Sequence, residues 1–149
     1  MALIDDILPG PVALDTAIFI YFIEEHSRYL EALIPLFDAI DNGRLESVTS
    51  ALTLLETLVI PFRSKNPTLA EHYETILTQS RGLRLIELTL PVLRIAAQIR
   101  GSTRIKTPDA IQLAAAITSN CTCFLTNDRD FIEMGQIKII QLDNYIDTA

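Results

Sequence analysis

The chain has 149 residues, of which 49% are hydrophobic and 21% charged, so it can bury the core of one domain and is not a disordered protein. It carries 19 acidic and 12 basic side chains, a net charge of −7. Because Lys and Arg drive binding to phosphate, this balance argues against a general binder of nucleic acid or of anionic membranes. A small-molecule enzyme or a protein-binding module is the first interpretation.

Short β-rich runs alternate with longer helical patterns along the whole chain. Strands are predicted at residues 12–14, 45–49, 84–88, 122–126 and 138–142. Helices are predicted at residues 16–25, about 28–41, 51–60 (capped by Ser50 and ended by Pro61), 67–80, 89–101, 109–119 and, as a short turn, 130–134. Strands separated by helices imply crossover connections. We therefore predict a single α/β domain over residues 1–149, a three-layer α/β/α sandwich around a mainly parallel five-stranded sheet.

The sequence favours a cytoplasmic protein with no membrane association. Residues 1–10 contain acids where a secretory signal needs a basic start. The strongest apolar stretches, Thr16–Ile23 and Ala110–Ile117, fall well short of the ~20 residues that span a bilayer. Cys121 and Cys123 would share one face of a strand, a poor geometry for a mutual disulfide, and we interpret them as packing thiols.

Carboxylates follow two of the predicted strands. Asp15 comes directly after the first strand, and Asn127-Asp128 come after the fourth. In open parallel sheets, sites form outside the carboxyl ends of the strands. We therefore expect Asp15 and Asp128 to lie at the same edge of the sheet.

Glu56 is the only charged residue between Glu46 and Arg63. Its helical neighbours include Leu52 and Ile60, so an ionised carboxylate buried there would be costly unless a cation or hydrogen-bond donors met it. The alternative is a glutamate at the rim of its helix, with its carboxylate in water.

The remaining acids have structural interpretations of their own. Asp109 follows Thr107-Pro108, and an acid in a first helical turn stabilises the helix dipole by about 0.3–1 kcal/mol. Asp128 and Asp130 are equally suited to forming turns or starting a helix. No single carboxylate decides the function.

Taken in order, four segments resemble the spaced acidic motifs of the PIN-domain family. They are Leu14-Asp15-Thr16, Ser50…Glu56, Thr107-Pro108-Asp109-Ala110 and Leu125-Thr126-Asn127-Asp128-Arg129-Asp130-Phe131. The chain length and the Asp-Phe segment near the end resemble the VapC-type toxins of bacterial toxin–antitoxin pairs. Ala17 departs from the pattern, since many relatives carry Ser or Asn there.

The resemblance implies an Mg²⁺- or Mn²⁺-dependent endoribonuclease. It implies catalytic and metal-binding roles for Asp15, Glu56, Asp109 and Asp128, and supporting roles for Thr16, Thr126 and Asp130. Asp128 and Asp130 compete for the fourth acidic position, and we prefer Asp128 because it is closer to the strand end. Hard divalent cations prefer oxygen ligands, and a bound cation would offset the repulsion within such a cluster.

The charge is unevenly distributed along the sequence. Residues 81–106 carry six basic side chains and one acidic side chain, a net charge of +5, so the rest of the chain carries −12. Arg104 and Lys106 lie just before Asp109, and we predict that they contact RNA. The structural alternative is that these cations solvate helix faces or pair with nearby acids.

The resemblance also implies protein partners, namely a cognate antitoxin and a second copy of the chain. The first two predicted helices carry more apolar side chains than a thin layer needs: Ile18, Phe22, Tyr29, Leu30, Leu33, Leu36 and Phe37. Internal packing is the ordinary explanation, and an interface is the one that the family implies.

Two other functions compete with the nuclease hypothesis. A catalytically silent PIN-like interaction module would keep the acids as helix caps. A phosphotransfer receiver domain is disfavoured because Asp15-Thr16-Ala17 lacks the second Asp of a phosphatase-type loop.

Overall fold

The computed structural model describes residues 2–146 and contains one five-stranded parallel sheet in the order β3-β2-β1-β4-β5. The strands are short: β1 Val12–Leu14, β2 Ser47–Ser50, β3 Leu83–Ile86, β4 Cys123–Thr126 and β5 Lys138–Gln141. The helices are α1 Leu3–Ile7, α2 Thr16–Ile23, α3 Leu30–Asp41, α4 Leu52–Arg63, α5 Pro67–Gln79, α6 Leu90–Ser102 and α7 Thr107–Thr118, with a final 3₁₀ turn at Leu142–Tyr145. None of the helices in this described part is long and apolar enough to cross a membrane.

Strand β1 lies at the centre of the sheet. Ala13 pairs with Val48 of β2 on one side and with Phe124 of β4 on the other. Parallel strands need crossover connections, and the crossover helices cover both faces of the sheet. Two apolar cores result, one around Leu14 and Phe19 and the other around Ala13 and Phe124. The predicted three-layer α/β/α architecture is confirmed.

Local signals place the starts of two helices correctly. The Asn66 side chain accepts a hydrogen bond from Leu69 N at 3.1 Å, and Pro67 occupies the first turn of α5. Thr89 caps α6 in the same way, accepting from Val92 N at 3.4 Å.

Two local predictions are wrong, and one helix was not predicted. Helix α4 continues through Pro61 to Arg63, because burial of the Pro61 ring offsets the one backbone hydrogen bond that a proline cannot donate. Ser50 does not cap α4: Ala51 occupies the cap position, and the buried Ser50 hydroxyl has no hydrogen-bond partner in the described structure. The N-terminal helix α1 has no counterpart among the predicted elements.

The predicted helical turn at residues 130–134 is also wrong. Residues 131–133 have no regular secondary structure, and Met134 forms an isolated antiparallel bridge with Ile137. Phe131 is buried, with its ring centroid 4.8 Å from that of Phe124 in β4. A single helical turn has little stability of its own, so this tertiary contact decides the conformation.

The apolar side chains that the sequence analysis named in α2 and α3 pack inside the molecule, although Ile34 of α3 is exposed. Ile18, Leu33, Leu36 and Phe37 are buried, and the Phe22 ring stacks on Phe37 with centroids 3.9 Å apart. Tyr29 is also buried and Leu30 is half-buried. Internal packing therefore accounts for the apolar excess that the sequence shows in these helices.

Large exposed apolar side chains occur on several elements, including Leu90 of α6 at 74%, and α4 carries three of them. Leu55, Ile60 and Phe62 are 61%, 69% and 65% exposed. The two cysteines are buried and free, as expected for packing thiols, and burial raises the pKa of both.

Gly82 offers a test of the packing between α3 and the sheet. A Cβ atom at this position would lie 2.8 Å from Leu45 O and still closer to Ile40 O, and both are backbone atoms that cannot rotate away. We expect Gly82→Ala to lower the free energy of unfolding by more than ~1 kcal/mol. Gly101→Ala is the matched control, since no atom lies within 4 Å of its Cβ position in α6. Equal stability of both variants in chemical denaturation would contradict this packing.

Candidate active site

Four carboxylates from four elements line one open pocket of about 350 Å³ at the carboxyl edge of the sheet. Asp15 lies between the end of β1 and the start of α2, and Asp128 follows β4. Glu56 comes from α4, and Asp109 from the first turn of α7. The structure thus brings together the four acids that the sequence singled out.

Asp15 is held by two hydrogen bonds. Its Oδ1 accepts from Thr16 N at 2.9 Å, which caps α2, and its Oδ2 accepts from Thr126 Oγ1 at 2.6 Å. Thr126 Oγ1 also accepts from Asp128 N at 3.0 Å. One buried hydroxyl therefore joins the ends of β1 and β4. Burial raises the pKa of Asp15, and the hydrogen bonds from Thr126 and Thr16 partly oppose this rise.

Glu56 lies at the rim of the pocket. Its side chain is exposed, which matches the rim alternative and not the buried one, and its Oε1 accepts a hydrogen bond from Thr16 Oγ1 at 2.7 Å. Thr16 therefore fixes Asp15 through its backbone and Glu56 through its hydroxyl.

Gln112 is a pocket residue that the sequence interpretation missed. It is 2% exposed, and its Nε2 donates to Thr53 Oγ1 at 2.8 Å and to Thr16 Oγ1 at 3.3 Å. Its Oε1 accepts from Ser50 N at 3.3 Å. The sequence does contain a sign of its role: Gln112 is the lone amide in the apolar run Ala110–Ala116, one helical turn after Asp109.

The charges in the pocket act on Asp109. Burial, together with the negative charges of Asp128, Asp15, Glu56 and Asp130, raises the pKa of Asp109 to about 6. The four other acids are thus close enough for their repulsion to be felt at this carboxylate.

Asp128 and Asp130 occupy different places. Asp128 lines the acidic pocket, and its Oδ1 accepts from Asp130 N at 2.8 Å. Asp130 lines a neighbouring pocket together with Arg104 and Lys106. The geometry is compatible with Asp128 as the fourth acid, and that role stays a prediction.

The donor set of the pocket suits a hard divalent cation. Its titratable side chains are four carboxylates and Tyr21, with no His or Cys. Across residues 2–146 the only ion pair is Arg28–Asp143, at 3.7 Å, so no described basic side chain neutralises these acids. In the same span, no three His, Cys, Asp or Glu side chains lie close enough together to hold a metal ion as they stand. The carboxylates that line the pocket, and that would have to move closer to share a cation, are Asp15, Glu56, Asp109 and Asp128.

Comparisons with known proteins agree on the fold. The family model described as PIN domain matches residues 12–137. The chain is similar in structure to VapBC2 from Rickettsia felis bound to a promoter DNA fragment, with a TM-score of 0.66, 19% identity and coverage of 87% of this chain and 97% of that one. A toxin–antitoxin complex from Klebsiella pneumoniae gives a TM-score of 0.66 at 20% identity, covering 88% and 97%. FitAcB from Neisseria gonorrhoeae gives 0.61 at 19%, also covering 88% and 97%. No curated protein sequence matches the chain.

The raised pKa of Asp109 predicts a pH-dependent effect on stability. Between pH 3.8 and about 6 the folded chain binds a proton at Asp109 that the unfolded chain does not, so ionisation of Asp109 at higher pH destabilises the fold. We expect Asp109→Asn, free of metal, to have the higher free energy of unfolding above pH 6. This advantage should shrink as the pH falls towards 3.8.

Denaturant unfolding in EDTA across this pH range measures the effect. Asp38→Asn is the control, because Asp38 is exposed on α3 and does not line the pocket. A constant difference between wild type and Asp109→Asn at every pH would contradict the electrostatic explanation.

Proposed function

The chain belongs to the PIN-domain family, and from this premise we propose that it is a metal-dependent endoribonuclease that cleaves single-stranded or structured RNA. We propose further that it is the toxin of a type II toxin–antitoxin pair. One observation carries the nuclease proposal: four carboxylates share a pocket in which no described basic side chain neutralises them. Such a site suits a divalent cation and a phosphodiester substrate.

We assign two roles to the residues of the pocket, namely holding the metal ion and orienting the acids that hold it. Asp15 and Asp109 would hold Mg²⁺ or Mn²⁺, with Glu56 and Asp128 completing the ring of oxygen ligands. When bound, such ions supply Lewis-acid activation of the phosphodiester and lower the pKa of attacking water.

The neighbouring hydroxyls orient the acids. Thr126 and the backbone of Thr16 leave Asp15 one orientation, and the Thr16 hydroxyl draws Glu56 towards the same space. Asp130 adds negative charge beside the site without lining the pocket itself. No histidine lines the pocket, so its carboxylates are the only side chains that we assign as candidate general bases.

Cleavage of single-stranded RNA by the purified chain tests the proposal. We expect cleavage with Mg²⁺ or Mn²⁺ and none with EDTA. Asp15→Asn and Asp109→Asn should each reduce the rate by about 100-fold or more, the scale expected for losing a central electrostatic contact. Asp38→Asn should cleave like the wild type.

A second readout separates metal binding from catalysis. Mn²⁺ should raise the thermal unfolding midpoint of the wild type and of Asp38→Asn, but not of Asp15→Asn or Asp109→Asn. Full activity of either pocket variant, or undiminished cleavage in EDTA, would rule out the metal-dependent mechanism. A folded wild type that cleaves no RNA would favour the catalytically silent interaction module.

We also propose a cognate antitoxin and a homodimer as assembly partners, in the cytoplasm where cellular RNA is found. The solved structures from Rickettsia felis and Klebsiella pneumoniae are toxin–antitoxin complexes with this fold. The exposed apolar side chains of α4 offer a surface for a partner, and the acidic surplus outside residues 81–106 would suit a basic one.

The toxin proposal predicts growth arrest that depends on the acidic pocket. Expression of the wild-type chain should stop growth, and co-expression of a small DNA-binding protein encoded immediately upstream should relieve the arrest. Asp109→Asn, expressed to the same level, should leave growth unaffected. Arrest by Asp109→Asn equal to that of the wild type would show that the toxicity has another source.

A further inference from the structure

A second pocket, of about 260 Å³, lies beside the acidic one. It is lined by Arg104, Ile105, Lys106, Asp130 and Ile132. Asp130 connects the two pockets: its backbone N–H donates to Asp128 Oδ1, and its charge contributes to the raised pKa of Asp109. A ligand that occupies the acidic pocket can therefore extend directly over this second one.

The loop that carries Arg104 and Lys106 is fixed in place by Arg100. Arg100 Nε donates to Ile105 O at 3.2 Å, and its Nη1 donates to Thr107 Oγ1 at 2.9 Å. Ile105 N donates to Thr103 Oγ1 at 3.1 Å. These bonds use the guanidinium of Arg100 to hold the loop, so this arginine acts structurally and is not a free phosphate ligand.

Arg104 and Lys106 lie on either side of Ile105, which is buried. Both cationic side chains are exposed, and neither forms an ion pair with an acid in residues 2–146. A buried anchor between two exposed cations presents both charges from one fixed stretch of backbone. Such preorganisation lowers the entropy lost when a ligand binds.

The charge of this pocket is opposite to that of its neighbour. Two cations and one carboxylate line it, so it is net positive, whereas four carboxylates line the acidic pocket. The acids repel every phosphate that approaches before a metal is bound. A strand of nucleic acid therefore needs a cationic contact outside the acidic pocket to stay in place.

We propose that Arg104 and Lys106 form a phosphate-binding subsite that holds a backbone phosphate of single-stranded RNA beside the acidic pocket. The proposal rests on the proposed function, since it names how the same site holds its substrate. Arg104 matches the paired oxygens of a phosphodiester through its planar guanidinium, and Lys106 adds a point charge. Both contact the backbone and carry no base specificity.

The test compares two doubly substituted chains with the same change of charge. Arg104→Gln/Lys106→Gln removes the subsite. Arg81→Gln/Lys138→Gln is the matched control, because Arg81 precedes β3 and Lys138 begins β5, both at the opposite edge of the sheet. Affinity for a short fluorescent single-stranded RNA is measured by anisotropy in EDTA, so that no cleavage occurs, over a series of salt concentrations.

We expect the subsite variant to bind RNA about tenfold more weakly, with a salt dependence reduced by ~0.7 in slope for each lost phosphate contact on a single strand. The control should bind within about twofold of the wild type, because Arg81 and Lys138 lie far from the bound RNA and salt screens their charges. Asp130→Asn should bind more tightly, since it removes the carboxylate from the subsite.

Cleavage kinetics distinguish a role of Arg104 and Lys106 in substrate binding from a purely structural role. With Mg²⁺ or Mn²⁺, the subsite variant should raise KM with kcat little changed, which is the pattern of lost uniform binding. Circular dichroism and the unfolding midpoint check that each variant is folded. If the double variant unfolds, Arg104→Gln is compared with Arg81→Gln in the same assays.

The outcomes separate this proposal from the nuclease proposal. If the wild type cleaves no RNA while only the subsite variant loses RNA affinity, the nuclease proposal fails and the subsite stands. Equal losses in the subsite variant and the control, or no binding of RNA by the wild type, would overturn the subsite. Tighter binding of single-stranded DNA of the same sequence would overturn its assignment to RNA.

Discussion

Asp15, Glu56, Asp109 and Asp128 reach one pocket from four separate elements, and no basic side chain in residues 2–146 pairs with any of them. Burial and mutual repulsion raise the pKa of Asp109 to about 6, so the folded chain is destabilised wherever this carboxylate is ionised. The two apolar cores on either side of the sheet must offset that cost. The fold holds these acids together against their own repulsion, a cost that is typical of functional sites.

Neutral donors hold the acids without neutralising them. Thr126 and Thr16 donate to Asp15 and Glu56, and Gln112 in turn binds the hydroxyls of Thr16 and Thr53. A lysine or arginine in these positions would fix the carboxylates equally well, but its charge would compete with a metal ion for the same oxygens. Hydroxyl and backbone N–H donors orient Asp15 and Glu56 and leave their charges available. The choice of donor is therefore as informative as the acids themselves.

The topology of the site follows from the sequence, whereas much of its support does not. Asp15 and Asp128 end neighbouring parallel strands, so their meeting could be predicted from the alternation of strands and helices. The hydrogen-bond partners of Gln112 could not be predicted, because they depend on how α7 packs against α4. The same holds for residues 130–134, where the contact of Phe131 with Phe124 overrides a weak helical pattern. Local patterns predict elements and their order, and side-chain networks between distant elements need the tertiary structure.

The net charge of −7 shows why the summed charge of a chain is a poor guide to the class of substrate that it binds. Exposed charges more than about 10 Å apart are largely screened at physiological ionic strength, so a ligand responds to the charges that face it. Here four acids face one pocket, and Arg104 and Lys106 face the next. Without a cation, the acids of the first pocket repel phosphate. A cation bound by these acids would attract phosphate instead. For the proposed function, the remaining negative surface would still repel RNA elsewhere, which favours selective cleavage over general RNA binding.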